Sequence, residues 1–152
     1  MLNRRRFLCG VLGLCLLCIL LCAGCGKKGD PIPPKLILPP AIAELAADSD
    51  AEGIKLGWSV SEVTGSRIDH FRIIRSEAAA DRACPGCPQD YKPFVTLKVS
   101  DPNLRREGEK GFRYVDAAVV AGRFYSYRIS ACDSKGLCGE PSSPAGSLRE
   151  TR

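Results

Sequence analysis

Short stretches of alternating apolar and polar residues fill most of the chain after residue 41, and they predict β-strands. In the clearest of them Ile54, Leu56, Trp58 and Val60 lie on one side of an extended chain, because successive side chains of a strand point to opposite faces. Comparable patterns mark six further segments, near 42–45 and at 68–75, 94–99, 112–115, 123–132 and 140–148. Seven short strands joined by turns predict an all-β fold, a β-sandwich.

The longest predicted strand, 123–132, places Tyr125, Tyr127 and Ile129 on one face. The final segment contains Pro141 and Pro144, which predicts an edge strand because proline cannot donate to a sheet ladder. The polar stretch 100–111 contains no alternating pattern and is predicted to be a loop. Trp58 shares its face with three aliphatic residues and is therefore predicted to be a core residue rather than an exposed binding aromatic.

The arrangement resembles a fibronectin type III domain, an immunoglobulin-like sandwich, across about residues 39–148. The residues that carry the resemblance are Trp58 in the second strand and the Asp-x-x-Val-x-x-Gly stretch 116–122 before the long strand. The resemblance implies a tyrosine corner, in which a tyrosine hydroxyl bonds the backbone upstream, with Tyr125 as the first choice and Tyr127 as the alternative. The domain is expected to span 40–149.

A basic and apolar segment precedes the predicted domain. Arg4, Arg5 and Arg6 come before an apolar run at 8–21, and small residues follow before Cys25. This order is typical of a signal peptide, here 1–24. The alternative, an uncleaved membrane helix, has only residues 8–24 to cross the bilayer, which is at the short end for a spanning helix.

The sequence Ala23-Gly24-Cys25 resembles the lipobox of bacterial lipoproteins, although Cys22 stands where leucine is usual. The resemblance implies that Cys25 becomes the mature N-terminus, carries a thioether-linked diacylglycerol and an N-acyl chain, and anchors the protein in membrane lipid. No cofactor is expected. Gly26 after the cysteine favours the outer membrane of the cell envelope, with the domain facing the periplasm. The arginines also fit a twin-arginine export signal, which leaves the export route open.

The segment 25–39 is rich in proline and glycine and is expected to be an extended tether. Its first residues also resemble the mature ends of small outer-membrane lipoproteins that associate with the lipopolysaccharide translocon. Cys25, Gly26, Lys28 and Gly29 match that pattern, and Asp30 departs from it. The segment Cys25–Pro34 is therefore either a passive spacer or a docking motif for an outer-membrane assembly.

Charge argues against nucleic acid as a partner. The chain carries a net charge of +5, but without residues 1–24 it has 19 Lys and Arg against 17 Asp and Glu. A nearly neutral mature chain lacks the basic surface that nucleic-acid binding requires.

Four cysteines remain for the folded part, as the local pairs Cys84/Cys87 and Cys132/Cys138. In an exported protein they are expected to form two structural disulfides. Cys84-x-x-Cys87 is also the spacing of a redox pair or of half a zinc site, and the latter would require all four cysteines to meet. The predicted topology separates the pairs, so no metal site is expected.

No group of residues argues for catalysis. His70 is the only histidine, and its place in a predicted strand suggests that it faces solvent without an oriented partner. The sequence therefore predicts a non-enzymatic, lipid-anchored envelope protein that acts in protein interaction or assembly support with an unidentified envelope partner. The alternatives are an outer-membrane assembly partner that acts through Cys25–Pro34 and a thiol oxidoreductase that uses Cys84 and Cys87.

Overall fold

The computed structural model describes residue 29 and residues 37–61, 68–84 and 86–150, and every element in them belongs to one compact unit. The predictions for the signal peptide, for Cys25 and for most of the tether lie outside these residues. Eight strands and one short 3-10 helix make up the fold: β1 Ile42–Ser49, β2 Ile54–Val60, β3 His70–Ala79, η1 Ala80–Arg82, β4 Lys92–Lys98, β5 Arg105–Glu107, β6 Gly111–Asp116, β7 Arg123–Cys132 and β8 Ala145–Arg149. Within the described part of the chain, no helix has the length and apolarity needed to cross a membrane.

The strands form two antiparallel sheets, in the order β1-β2-β6-β5 and β4-β3-β7-β8. The first order is that of the ABED sheet of immunoglobulin-like domains, and the second extends the CFG sheet by one strand at its edge. The prediction of an all-β, immunoglobulin-like sandwich is therefore confirmed. Both β2 and β7 have the bounds that their alternating patterns predict.

The strand count is eight, and the prediction of seven was wrong because the stretch 100–111 contains β5. This strand has three residues, all exposed, and it pairs only with the beginning of β6. Gly108 turns the chain between them with a φ of 67°, a conformation that glycine adopts at little cost. A short edge strand with both faces in water has no apolar alternation, so its sequence contains no strand signal.

Aromatic rings from both sheets fill the centre of the sandwich. Trp58 on β2, Phe71 on β3 and Phe112 on β6 are buried, with ring centroids 4.6–6.0 Å apart. The Trp58 and Phe71 rings meet edge to face at 77°, one of the favoured geometries of aromatic pairs. Alternating inward positions of the two sheets thus bring the largest side chains together.

Tyr125 forms the corner between the β6–β7 connection and β7. Its ring is buried, and its hydroxyl accepts a hydrogen bond of 2.9 Å from the backbone N–H of Val120, five residues upstream. Tyr127, the alternative candidate, instead donates its hydroxyl to Asp116. The two tyrosines therefore fix the same connection through different partners.

The sandwich has two distinct ends. At the first, the tether end, β1 begins opposite the last residue of β2, and the buried Pro39 lies against Gly139 beside the Cys132–Cys138 hairpin. The other end, the distal end, carries the turn 50–53, the connection 80–91 and the connection 117–122. Arg149 at the end of β8 links that strand to the turn 50–53, because its guanidinium donates to the carbonyls of Asp50 and Ala51.

Candidate functional site

The connection between β3 and β4 forms the most elaborate part of the distal end. After η1 the chain makes a tight turn in which Cys84 and Cys87 are joined by a disulfide, and the N–H of Cys87 donates to the carbonyl of Cys84 at 3.1 Å. Both cysteines are exposed. The chain turns here because Gly86 and Pro88 favour a turn over a helix or a strand.

This connection folds back onto the sheet and encloses a cleft of about 410 Å³. Tyr91 secures it, because its hydroxyl lies 2.8 Å from the Ser126 hydroxyl and its ring lies 5.2 Å from the Arg128 guanidinium. The cleft combines charged, apolar and disulfide side chains: Arg75, Glu77, Arg82, Lys92, Asp90, Phe94, Phe124, Pro88, Pro93, Cys84 and Cys87 are among its lining residues. Five of these side chains are charged, so the cleft offers charged groups of both signs beside apolar surface.

A buried charged network lies beneath the cleft. Asp116 at the end of β6 is fully buried and accepts hydrogen bonds from Arg75 at 2.8 Å, from the Tyr127 hydroxyl at 2.8 Å and from the N–H of Ala118 at 2.9 Å. Arg75 also lies over the Phe94 ring, with the guanidinium carbon 4.2 Å from its centroid. The network therefore connects the two sheets with each other and with the β6–β7 connection, close to the distal end.

The network changes the proton affinities of its members. Burial alone would lower the pKa of Arg75, but the hydrogen bond and the negative charge of Asp116 outweigh it, so this pKa is raised above its ordinary value. Burial, reinforced by the charge of Asp116 and the hydrogen bond to it, raises the pKa of Tyr127 far above its ordinary value of 10.0. Arg75 therefore stays charged and Tyr127 stays neutral at physiological pH.

Sequence reasoning missed this network. In the sequence Asp116 is the first residue of the loop motif 116–122, and Arg75 ends the predicted strand 68–75, which in the structure continues to Ala79. Phe71, Ile73 and Arg75 stand at every second position of β3, so Arg75 lies on the same inner face as the two buried residues. This spacing is the sequence signal that places Arg75 inside the sandwich.

The second cysteine pair is at the tether end. Cys132, the last residue of β7, is joined to Cys138 by a disulfide. Across β3 the register runs from His70 opposite Cys132 to Ala79 opposite Arg123, so the two disulfides lie beyond opposite ends of that strand. The four cysteines do not meet.

The expectation that His70 faces solvent without an oriented partner was wrong. It is the first residue of β3, and its side chain is only 15% exposed. The ring has an oriented partner, since Nδ1 lies 3.0 Å from the Asp69 carboxylate. The position beside Cys132 could not be inferred without the strand register.

The sequence matches no profile of a known protein family and no curated protein sequence. Among solved structures, it is similar to the twitchin kinase region from C. elegans, with 17% identity and a TM-score of 0.51 over 75% of this chain. The match spans 17% of the twitchin chain. It is also similar to an Fn3-like protein from Clostridium thermocellum, with 23% identity, a TM-score of 0.44 and coverage of 74% of this chain and 95% of that one. At these identities a similarity speaks for the fold alone, and the strand order of the two sheets already identifies that fold as an immunoglobulin-like β-sandwich.

Proposed function

We propose that this protein is a non-enzymatic interaction module of the cell envelope, held to the membrane by a lipid on Cys25, and that it binds a protein partner at the distal end of its sandwich. The proposal rests on the position of the cleft, which is at the end of the sandwich opposite to the residues through which the chain enters β1. The chain joins β1 at the tether end, whereas the cleft and the Cys84–Cys87 turn are at the distal end. The loops of the distal end therefore lie away from the residues through which the chain enters the sandwich.

The construction of the distal end supports binding. Loops carried by a rigid sheet are the usual binding surface of sandwich domains. Here a disulfide closes the turn Cys84–Cys87 within the connection 80–91, and Tyr91 fastens the end of that connection to the sheet. A surface ordered in advance loses little conformational entropy when it binds a partner.

The setting of Cys84 and Cys87 favours a structural disulfide over a thiol oxidoreductase. A catalytic Cys-x-x-Cys pair normally stands at the N-terminus of a helix, which lowers the thiol pKa. In this chain η1 precedes Cys84, and the segment from Cys87 to β4 contains no helix. A structural disulfide fits the role of closing the loop.

Anchoring and partner binding are tested together by mild crosslinking of envelopes followed by purification. Wild-type protein is expected in the membrane fraction with a specific crosslinked partner. Cys25→Ser is expected to release the protein from the membrane fraction, since lipid attachment requires that thiol. Arg82→Glu, at the exposed rim of the cleft, is expected to lower recovery of the partner at least fivefold while membrane attachment is unchanged.

The matched control is Lys135→Glu, which reverses one exposed charge in the turn at the tether end and is expected to leave partner recovery unchanged. A chain that lacks residues 26–34 separates the two binding hypotheses. Retention of the partner supports the distal end, whereas its loss shows that the segment after Cys25 is the docking motif. Equal recovery with Arg82→Glu and Lys135→Glu contradicts the proposal.

A further inference from the structure

A cluster of metal-binding residue types lies at the tether end, away from the proposed binding surface. One ring nitrogen of His70 and the Sγ atoms of Cys132 and Cys138 all lie within 4.8 Å of one another. The sheet fixes this proximity, because His70 stands directly opposite Cys132 in the β3–β7 register and Cys138 faces Cys132 across an antiparallel bridge.

We propose that reduction of the Cys132–Cys138 disulfide converts this cluster into a Zn²⁺ site, with two thiolates and the His70 imidazole as ligands and water in the fourth position. Two sulfurs and one imidazole suit Zn²⁺, which binds such ligands tetrahedrally, and they do not suit Mg²⁺ or Ca²⁺, which take oxygen ligands. With zinc–ligand bonds of about 2.0–2.3 Å, the ligand atoms stand roughly 3.3–3.8 Å apart. Small side-chain rotations bring this cluster to that spacing once the disulfide is cleaved.

The backbone holds the two cysteines in place without help from the disulfide. The N–H of Gly139 donates to the carbonyl of Ala131, and the N–H of Asp133 donates to the carbonyl of Leu137, both at 2.9 Å. The Asp133 carboxylate also accepts from the N–H of Leu137 at 2.9 Å. The hairpin 131–139 is therefore closed by hydrogen bonds that survive reduction, so the thiols remain beside His70.

The surroundings of His70 provide the second feature of a zinc site. Its Nδ1 lies 3.0 Å from the Asp69 carboxylate, and metal-binding histidines commonly use one ring nitrogen for such a partner and the other for the metal. Cys132 is fully buried, whereas the His70 side chain is 15% exposed and Cys138 is half-buried. An ion from solvent therefore reaches the cluster from the side of His70 and Cys138.

The chemistry has two balanced steps. In the first, a dithiol reductant transfers two electrons and two protons to the Cys132–Cys138 disulfide, which yields two thiols and oxidises the reductant to its own disulfide. In the second, Zn²⁺ replaces the two thiol protons, which pass to solvent. The oxidised hairpin has no free thiolate and holds no zinc, so zinc binding at this site depends on the redox state of the surroundings.

Cobalt is the probe of choice, because Co²⁺ occupies such zinc sites and thiolate ligation gives intense charge-transfer and visible absorption. Full-length protein in detergent is reduced with dithiothreitol, freed of reductant under anaerobic conditions and titrated with Co²⁺. One Co²⁺ with a tetrahedral thiolate spectrum is expected in the reduced protein above any signal of Cys132→Ser/Cys138→Ser. The remaining cysteines are the same in both chains, so the difference reports this site.

Two further variants decide the ligand set. His70→Gln is expected to weaken Co²⁺ binding at least tenfold, and Cys84→Ser/Cys87→Ser is expected to leave it unchanged. Circular dichroism of the reduced, metal-free protein is expected to retain the β-sheet signal. The proposal is overturned if reduction creates no Co²⁺ site, if His70→Gln binds as tightly as wild type, if Cys84→Ser/Cys87→Ser abolishes the spectrum, or if the sandwich unfolds on reduction.

Discussion

Asp116→Ala is expected to lower the free energy of unfolding by about 3–5 kcal/mol, because removing one partner of a buried ion pair leaves the other charge without compensation. Arg75 would lose its carboxylate, and the Tyr127 hydroxyl and the N–H of Ala118 would lose their acceptor. Asp116→Asn keeps the shape but removes the negative charge, and a smaller loss of about 1–3 kcal/mol is expected. Urea denaturation monitored by circular dichroism measures both.

The matched control for this change is Asp48→Ala, at an exposed position on β1. A change of at most about 0.5 kcal/mol is expected there, as is usual for surface substitutions. Equal destabilisation by Asp116→Ala and Asp48→Ala would show that the network contributes nothing to stability.

The same network predicts a loss of stability in alkali. The pKa of Tyr127 is raised in the folded protein, so above the ordinary value of 10.0 the unfolded chain releases a proton that the folded protein keeps. Unfolding is then favoured by rising pH, by about 1.4 kcal/mol per pH unit for one such proton. Below pH 10, Tyr127 is expected to contribute no pH dependence to the free energy of unfolding. Above pH 10 the free energy of unfolding is expected to fall, and to fall less steeply in Tyr127→Phe. Tyr114, whose pKa burial also raises, accounts for part of the remaining slope.

Trp58→Ala is expected to cost about 3–5 kcal/mol of stability, the range for truncating a buried aromatic residue to alanine. The substitution leaves a cavity beside Phe71 and Phe112, whose rings contact Trp58 from the two sheets. Circular dichroism is the appropriate probe, because Trp58 is the single tryptophan and its fluorescence disappears with it.

Trp58→Phe separates packing from hydrogen bonding. The buried Nε1 of Trp58 has no hydrogen-bond partner among the described residues, so phenylalanine removes no bond and keeps a ring beside Phe71 and Phe112. A loss of roughly 1–2 kcal/mol is expected from the smaller volume alone. A loss as large as that of Trp58→Ala would contradict the account of Trp58 as a packing residue.

The parts of the fold that the sequence predicted are those with a period-two apolar pattern. The strands β2 and β7 have an inner face of large apolar side chains, and a buried face imposes that pattern on the chain. The strand β5 has no buried face, so nothing in Arg105–Glu107 distinguishes it from a loop. The local sequence therefore predicts a strand only where one face of that strand is buried in the core.

The sites were less predictable because they depend on register. Arg75 and Asp116 are 41 residues apart in sequence, and His70 and Cys132 are 62 apart, so no local spacing reveals their contact. Charged residues in or beside strands ordinarily indicate a solvated face. Only the pairing of β3 with β7 and the stacking of the two sheets bring these side chains together.

Site-specific photocrosslinking determines whether the partner binds at the distal end. A photoreactive amino acid is placed at Arg82, on the rim of the cleft, or at Lys135, in the turn at the tether end, of otherwise intact protein in living cells. We expect a discrete crosslinked partner from position 82 and none from position 135. Crosslinking of the same partner from position 135 but not from position 82 would contradict it.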